Sequence, residues 1–215
     1  MPWLLVPDTR RAMVRTGIYF VSVPAVGGVV CLLVGWWGAG VAALGLAAFV
    51  LYFFRDPERA VNEARGAIVS PADGRVLSVD VVELDQKRLT RISIFLSLFD
   101  VHVNRSPIAG TITSVEYRPG KFHPAHGDPA SRENEKNEVV VEGEGTRVVF
   151  RQIAGILARR IEFWKKQGDT VRRGERVGMI RFGSRVEVFL EAHYRVHVKP
   201  GQHAEGGTTV LAVRP

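Results

Sequence analysis

The residue pair with the most distinctive chemical potential is Gly183-Ser184, which lies at a break between two strand-like segments, 179–182 and 185–190. A glycine allows left-handed or strained backbone geometry, and it leaves its carbonyl open to the neighbouring hydroxyl. Attack of Ser184 Oγ on the Gly183 carbonyl would convert the peptide bond to an ester, and elimination followed by hydrolysis would leave a pyruvoyl group. Most Gly-Ser pairs are turns, so the pair predicts this chemistry only in a supporting context.

Two further residues have side chains suited to proton transfer. They are Asp73, in Ser-Pro-Ala-Asp-Gly at 70–74, and His102, in Asp-Val-His-Val-Asn-Arg at 100–105. Histidine titrates near neutrality and can take a hydroxyl proton, and a buried carboxylate can fix the tautomer of a histidine. Asp-Gly is also a common turn, and a lone histidine is more often structural, so the residue types alone leave both interpretations open.

Four sequence segments come in a fixed order before Gly183-Ser184. They are Phe-Phe-Arg-Asp-Pro-Glu-Arg at 53–59, the two segments that contain Asp73 and His102, and Glu-Asn-Glu-Lys-Asn at 133–137. Together with the hydrophobic N-terminal segment, these motifs resemble the phosphatidylserine decarboxylase family, specifically its short bacterial branch. The resemblance spans nearly the whole chain.

The resemblance implies a self-cleaving lyase. Ser184 is expected to become the pyruvoyl cofactor, His102 to belong to the active site, and Asp73 to orient and polarise the processing base. The pyruvoyl carbonyl would form a Schiff base with phosphatidylserine and accept the electrons released with carbon dioxide, which gives phosphatidylethanolamine. The chain that ends at Gly183 and the chain that begins at the former Ser184 are expected to stay together as a heterodimer, with a higher oligomer left open.

Two positions depart from the pattern of longer family members. Arg105 stands where they have a second histidine, which leaves open whether His102 serves both self-cleavage and decarboxylation. Arg185 stands where a small hydroxyl residue usually follows the processing serine. Both arginines are candidates for binding a carboxylate or phosphate of the substrate.

An uncharged stretch of 39 residues runs from Thr16 to Phe54, with arginines on both sides. One membrane-spanning helix needs about 20 apolar residues, so the stretch predicts a hairpin of two spans with its bend at 35–40. A single tilted helix or a re-entrant pair is the alternative. The flanking arginines place both ends in the cytoplasm, so we expect a protein of the cell membrane whose catalytic domain lies on the cytoplasmic face.

The remainder of the chain has short Val, Ile and Phe runs separated by Gly, Pro and Asp, a pattern typical of many short strands. We therefore expect a mainly β fold, sandwich-like or barrel-like, with residues 1–59 as the anchor and 60–215 as the catalytic domain. Helical spacing at 153–163 indicates a helix, although a bent strand fits nearly as well.

The net charge of +7 favours an anionic partner, either lipid or nucleic acid, and the hydrophobic segment argues against nucleic acid. A mixture of cations and aromatic rings suits anionic headgroups or is simply a solvated face: Arg159, Arg160, Phe163, Trp164, Lys165, Lys166, Arg172, Arg173 and Arg176. His123 and His126 lack further ligands at convincing spacing, so no metal site is expected.

Two other functions stay open. A non-catalytic, membrane-tethered β-module would bind anionic lipid or a partner and would remain one uncut chain. A pyruvoyl enzyme acting on a small soluble amino acid would keep the chemistry of Ser184, but it would have no reason to lie at a bilayer.

Overall fold

The computed structural model describes residues 9–84, 86–143, 145–156, 160–181 and 183–214. The chain divides into two compact units, Met1–Pro57 and Glu58–Pro215. The division falls two residues before the boundary expected from the sequence.

The first unit is a hairpin of two helices, α1 (Thr9–Leu33) and α2 (Trp37–Phe53). The turn between them contains Gly35 at φ +84°, a left-handed conformation that glycine adopts without steric cost. The helices approach closely, since a Cβ on Gly40 would lie 3.0 Å from the carbonyl oxygen of Gly28. The predicted helical hairpin is therefore confirmed, and its turn at 34–36 overlaps only the start of the predicted bend at 35–40.

Within the described part of the chain, no helix is both long enough and apolar enough to cross a membrane. The predicted crossing of the membrane by both helices is not supported for these residues. Helix α2 has 17 residues. At a rise of 1.5 Å per residue it spans about 26 Å, whereas the hydrocarbon core is about 30 Å thick.

The described regular secondary structure of the second unit is strand except for one short helix, which confirms the mainly β prediction. Its described elements are β1 (Ala67–Val69), β2 (Gly74–Leu84), β3 (Lys87–Leu96), β4 (Val103–Arg105), β5 (Gly110–Arg118), α3 (Asp128–Glu133), β6 (Lys136–Gly143), β7 (Thr146–Ile153), β8 (Ile161–Phe163), β9 (Thr170–Val171), β10 (Arg176–Ile180), β11 (Ser184–Glu191), β12 (Arg195–Val196), β13 (His203–Ala204) and β14 (Val210–Val213).

The described strands form one large sheet and two small ones. The large sheet has the order β13-β2-β3-β11-β7-β6-β5-β9 and curls into a half-barrel. The small sheets have the orders β1-β14-β12 and β4-β10-β8. Strand β11 therefore lies between β3 and β7, and its first residue, Ser184, pairs with Leu96 at the end of β3.

The two faces of β11 have different surroundings because successive side chains alternate across a strand. Val188 and Leu190 pack in the main core with Ile92, Ile94 and Phe150. Ser184 lies on the same face of β11 as these core residues. Arg185, Glu187 and Phe189 point to the opposite face.

The helix predicted at 153–163 does not form in the described part of that segment. Ile153 ends β7, and β8 begins at Ile161, so the bent-strand alternative fits better. Residues 157–159 lie outside the described residues. The apolar residues with helical spacing belong here to two different strands and the connection between them, so the spacing does not reflect one helical face.

Candidate active site

Gly183 and Ser184 have the geometry that an acyl shift needs. Gly183 takes φ +63°, a left-handed conformation in which any other residue would be strained. Ser184 is fully buried, and its Oγ has no hydrogen-bond partner among the described residues. Because buried hydroxyls are normally hydrogen-bonded, an unpaired hydroxyl beside a left-handed glycine indicates a functional position.

His102 is fully buried next to this pair. Its Nδ1 lies 3.0 Å from the main-chain oxygen of Asp100, and since a carbonyl only accepts, Nδ1 carries the proton. Its Nε2 is therefore the acceptor nitrogen of the ring, and it accepts the N–H of Gly183 at 3.3 Å. The strand that begins at Val103 and the carbonyl of Asp100 thus hold a neutral base one residue from the Gly183–Ser184 bond.

The base and the nucleophile are adjacent but not hydrogen-bonded to each other. Nε2 of His102 receives the Gly183 N–H, while Ser184 Oγ lacks a partner. For His102 to take the serine proton, its Nε2 must exchange the Gly183 N–H for the hydroxyl. Such a proton transfer would therefore require a small movement at residue 183.

Asp100 orients His102 and is itself fixed on three sides. Its Oδ2 accepts the N–H and the hydroxyl of Ser97, both at 2.7 Å, and its Oδ1 lies 3.0 Å from Nε2 of His203. Burial alone would raise the pKa of Asp100, but the hydrogen bonds from His203 and Ser97 together hold it below the ordinary value. The carboxylate therefore stays charged and anchors the turn that presents its main-chain oxygen to His102.

Asp73 lies in the connection between β1 and β2 and binds other partners. Its Oδ1 accepts the N–H of Gly206 at 2.7 Å, and its Oδ2 accepts a hydrogen bond from Arg59 at 2.6 Å. Burial raises the pKa of Asp73 and outweighs the lowering by Gly206 and Arg59. Strand β3 separates β2 from β11, so the backbones of Asp73 and Ser184 are about 10 Å apart. The orienting role of Asp73 stays a prediction.

Comparison with known proteins decides the family. The family model described as phosphatidylserine decarboxylase matches residues 46–212. The chain is also 46% identical over 205 residues to a phosphatidylserine decarboxylase proenzyme of Solibacter usitatus, across 94% of this chain and 97% of that protein. The chain belongs to the phosphatidylserine decarboxylase family. Proenzymes of the same name from Symbiobacterium thermophilum and Ruegeria pomeroyi are similar at 46% over 213 residues and 47% over 209, covering 97% and 94% of this decarboxylase and 99% and 95% of the relatives.

The two arginines expected to bind substrate are both buried in this decarboxylase. Arg105 donates to the carbonyl of Gly174 at 3.1 Å. It lies three positions after His102 in an extended segment, so its side chain points to the opposite face. Arg185 donates to Ser131 Oγ at 2.7 Å and to the carbonyl of Gly127 at 3.2 Å. Both arginines therefore connect neighbouring segments to strands. Substrate binding by either arginine stays a prediction.

Arg185 belongs to a cluster of charges around Glu187, on the face of β11 away from Ser184. Glu187 is fully buried, accepts a hydrogen bond from Ser131 at 2.6 Å, and lies 3.6 to 3.8 Å from Arg91, Arg151 and Arg185. A cleft of about 780 Å³ lies above part of this cluster. The burial of Glu187 thus explains the position of Arg185, whose side chain points to the face of β11 opposite that of Ser184.

A chain of buried amides lies on the same side of β4 as His102. Asn137 donates to Gln152 at 3.0 Å, and Gln152 donates to Asn104 at 2.8 Å. The Nδ2 of Asn104 has no partner among the described residues. Asn104 follows His102 by two positions in an extended segment, so the decarboxylase has a buried, unused N–H donor on the side of its base.

The residues that the sequence analysis left without a role are Arg59, Asp100, Asn104 and Asn134. All four stand in the motifs that carried the resemblance, which was the available signal. Some cations of the predicted basic surface are paired with acids: Lys165 contacts Glu175 at 2.6 Å, and Arg176 lies 3.4 Å from Glu58. Arg159 lies outside the described residues.

Replacing Asp100 with asparagine is expected to lower stability in a pH-dependent way. The folded pKa of Asp100 is below the ordinary 3.8, so its hydrogen bonds stabilise the decarboxylase above that pH and are lost as the pH falls through the lowered value. We expect Asp100→Asn to cost about 1–3 kcal/mol at pH 7 and progressively less below pH 4. Urea unfolding at several pH values measures this, and a pH-independent difference would contradict it.

Proposed function

We propose that this chain is a precursor that cuts itself between Gly183 and Ser184 and then decarboxylates phosphatidylserine to phosphatidylethanolamine and carbon dioxide. One observation carries the proposal: an unpartnered, buried Ser184 hydroxyl follows a left-handed Gly183 whose N–H donates to Nε2 of His102. The names of the relatives, all proenzymes of this activity, support the substrate.

Self-cleavage balances with water as the only added reactant. Ser184 Oγ gives its proton to His102 Nε2 and bonds to the Gly183 carbonyl carbon, and the Gly183–Ser184 C–N bond breaks as its nitrogen is protonated. Loss of the Ser184 Cα proton then breaks the Cβ–Oγ bond and releases Gly183 as a carboxylate. Hydrolysis of the remaining enamine, through its imine tautomer, releases ammonia and leaves the pyruvoyl group.

The surrounding residues fit such a group. When formed, the pyruvoyl group supplies an electron-accepting carbonyl for decarboxylation. His102, held in its neutral tautomer by Asp100, is suited to carry a proton to or from the substrate carbon. Asn104 has a buried N–H available for a substrate carboxylate or a developing oxyanion.

Strand pairing supports the two cut chains staying together as a heterodimer. The 32 residues after Gly183 include β11, β13 and β14. Strand β11 pairs with β3 and β7, β13 pairs with β2, and β14 pairs with β1. All of these partner strands precede the cut. Cleavage would therefore leave the sheet hydrogen bonds in place.

We also propose that the decarboxylase is held at the cell membrane by its helical hairpin, with the catalytic unit on the cytoplasmic side. Residues 16–54 lack charge, and several large apolar side chains of the hairpin are exposed: Ile18, Val26, Leu33, Trp36, Trp37 and Leu51. A hairpin that enters the bilayer without crossing it fits this surface and the 17 residues of α2.

An assay with lipid and soluble substrates tests this function. The purified protein is expected to release carbon dioxide from phosphatidylserine in mixed vesicles, and the rate with free serine at equal concentration is expected to be at least about 100-fold lower, because the active unit is held at the lipid surface. Equal rates would favour the soluble amino acid alternative. A chain that stays uncut and releases no carbon dioxide would favour the non-catalytic β-module.

A further inference from the structure

Gly155 touches the carbonyl group whose bond is to be broken. A Cβ built on Gly155 would lie 2.1 Å from the carbonyl oxygen of Gly183 and 3.2 Å from its carbonyl carbon. No side chain fits at that distance, since contacts between a methyl carbon and a carbonyl oxygen are normally above 3 Å. The backbone at 155 therefore lies directly against the carbonyl of Gly183.

The segment that carries Gly155 is held by a buried asparagine. Asn134 is fully buried and donates to the main-chain oxygens of Ala154 at 2.7 Å and His123 at 2.8 Å. Its Oδ1 accepts the N–H of His123 at 2.8 Å, and the N–H of Ala154 binds the oxygen of Glu135 at 3.0 Å. The backbone that leads into Gly155 is therefore fixed by bonds on both its N–H and its carbonyl.

Residue 183 is thus held at both of its peptide groups. Its N–H binds His102, and its carbonyl oxygen lies against Gly155. These two contacts restrict rotation of the carbonyl, and so they decide which face of its carbon is turned to Ser184 Oγ. In reactions within one chain, a misplacement of about 1 Å can cost about 100-fold in rate.

We propose that Gly155 is a positioning residue for self-cleavage, and that its lack of a side chain is what lets the scissile carbonyl reach its reactive orientation. Asn134 supports it by fixing Ala154. The inference deepens the proposed function and rests on it. It assigns no contact between Gly155 and the lipid substrate.

Gly155→Ala is expected to slow self-cleavage by about 100-fold, because the new methyl group displaces the Gly183 carbonyl from Ser184 Oγ. Cell-free synthesis followed by intact-mass measurement gives the fraction of cut chain against time. Cleavage is a chain-internal event, so this readout does not depend on lipid or on decarboxylase activity.

Gly143→Ala is a matched control. A Cβ on Gly143 would lie 2.3 Å from the carbonyl oxygen of Ala109, a collision of similar severity. Gly143 ends β6, away from the cleavage site in the sheet. Both changes are also made in a Ser184→Ala background, where thermal unfolding compares their stabilities without any cut. Slow cleavage of Gly155→Ala alone, at equal stability, supports the proposal, and equal cleavage of both variants overturns it.

Asn134→Ala gives a second route if Gly155→Ala does not fold. This change removes the bond to Ala154 without adding an atom, and we expect cleavage at least about 10-fold slower than in the wild type. Unchanged cleavage would overturn the inference. A wild-type chain that never cuts would instead contradict the proposed function, so the two failures are distinguishable.

Discussion

Ser184→Ala is expected to give a single uncut chain without decarboxylase activity. Alanine has no hydroxyl to attack the Gly183 carbonyl, so neither the ester nor the pyruvoyl group can form. Without an electron-accepting carbonyl the rate should fall by about a millionfold or more, below detection. Denaturing electrophoresis and carbon dioxide release from phosphatidylserine vesicles measure the two effects.

Ser93→Ala provides the control for this variant. Ser93 is also buried in the large sheet, and its Oγ likewise has no partner among the described residues. Loss of either hydroxyl should have a similar small effect on stability, but Ser93→Ala should still be cut and active. Cleavage of the Ser184→Ala chain at the same bond would show that another group attacks Gly183.

His102→Ala is expected to slow self-cleavage by about 10²–10⁴-fold, the usual contribution of a positioned acid or base. The imidazole lies next to the bond with Nε2 as an acceptor of the Gly183 N–H, and the main-chain oxygen of Asp100 fixes its tautomer. The time course of the cut chain after synthesis measures the effect. Any chains that are cut slowly then report, in the lipid assay, whether decarboxylation also needs His102.

His193→Ala is the matched histidine control. His193 stacks on Tyr194 and lies 3.3 Å from Glu191 at a half-exposed position. Its removal should leave both cleavage and decarboxylation unchanged. If His102→Ala were cut as fast as the wild type, Ser184 would have to lose its proton to another acceptor, and the role assigned to His102 would be wrong.

The sequence predicted the parts of the site that depend on residue type and local order. A glycine before a serine indicated left-handed backbone, and Gly183 has it. The motif that contains His102 indicated a base, and its ring does lie beside Gly183. The mainly β fold and the helical hairpin followed from strand-like runs and from an uncharged stretch.

Contacts between distant segments could not be read from the sequence. Asp100 contacts His102 through its main-chain oxygen, a group that every residue has, so the motif did not reveal this contact. Gly155 contributes by lacking a side chain, and only the folded chain shows that Gly183 is opposite. The carboxylate of Asp73 binds Arg59, 14 positions away, because tertiary structure decides the partner of a buried charge.

The hairpin shows where a sequence threshold misleads. Absence of charge over 39 residues was enough to predict apolar helices. The turn divides this stretch into two helices, and α2 has only 17 residues, which is short for a membrane span. Crossing a bilayer depends on the length of each helix after the turn is formed, and the position of the turn is a property of the fold.

The intact mass of the purified wild-type chain tests the central claim most directly. We expect two species, residues 1–183 and residues 184–215. The smaller one should be lighter by one ammonia than the same chain with an N-terminal serine, and it should carry a ketone that borohydride reduces. A single species of 215 residues, or a small chain that begins with an ordinary serine amine, would contradict the account.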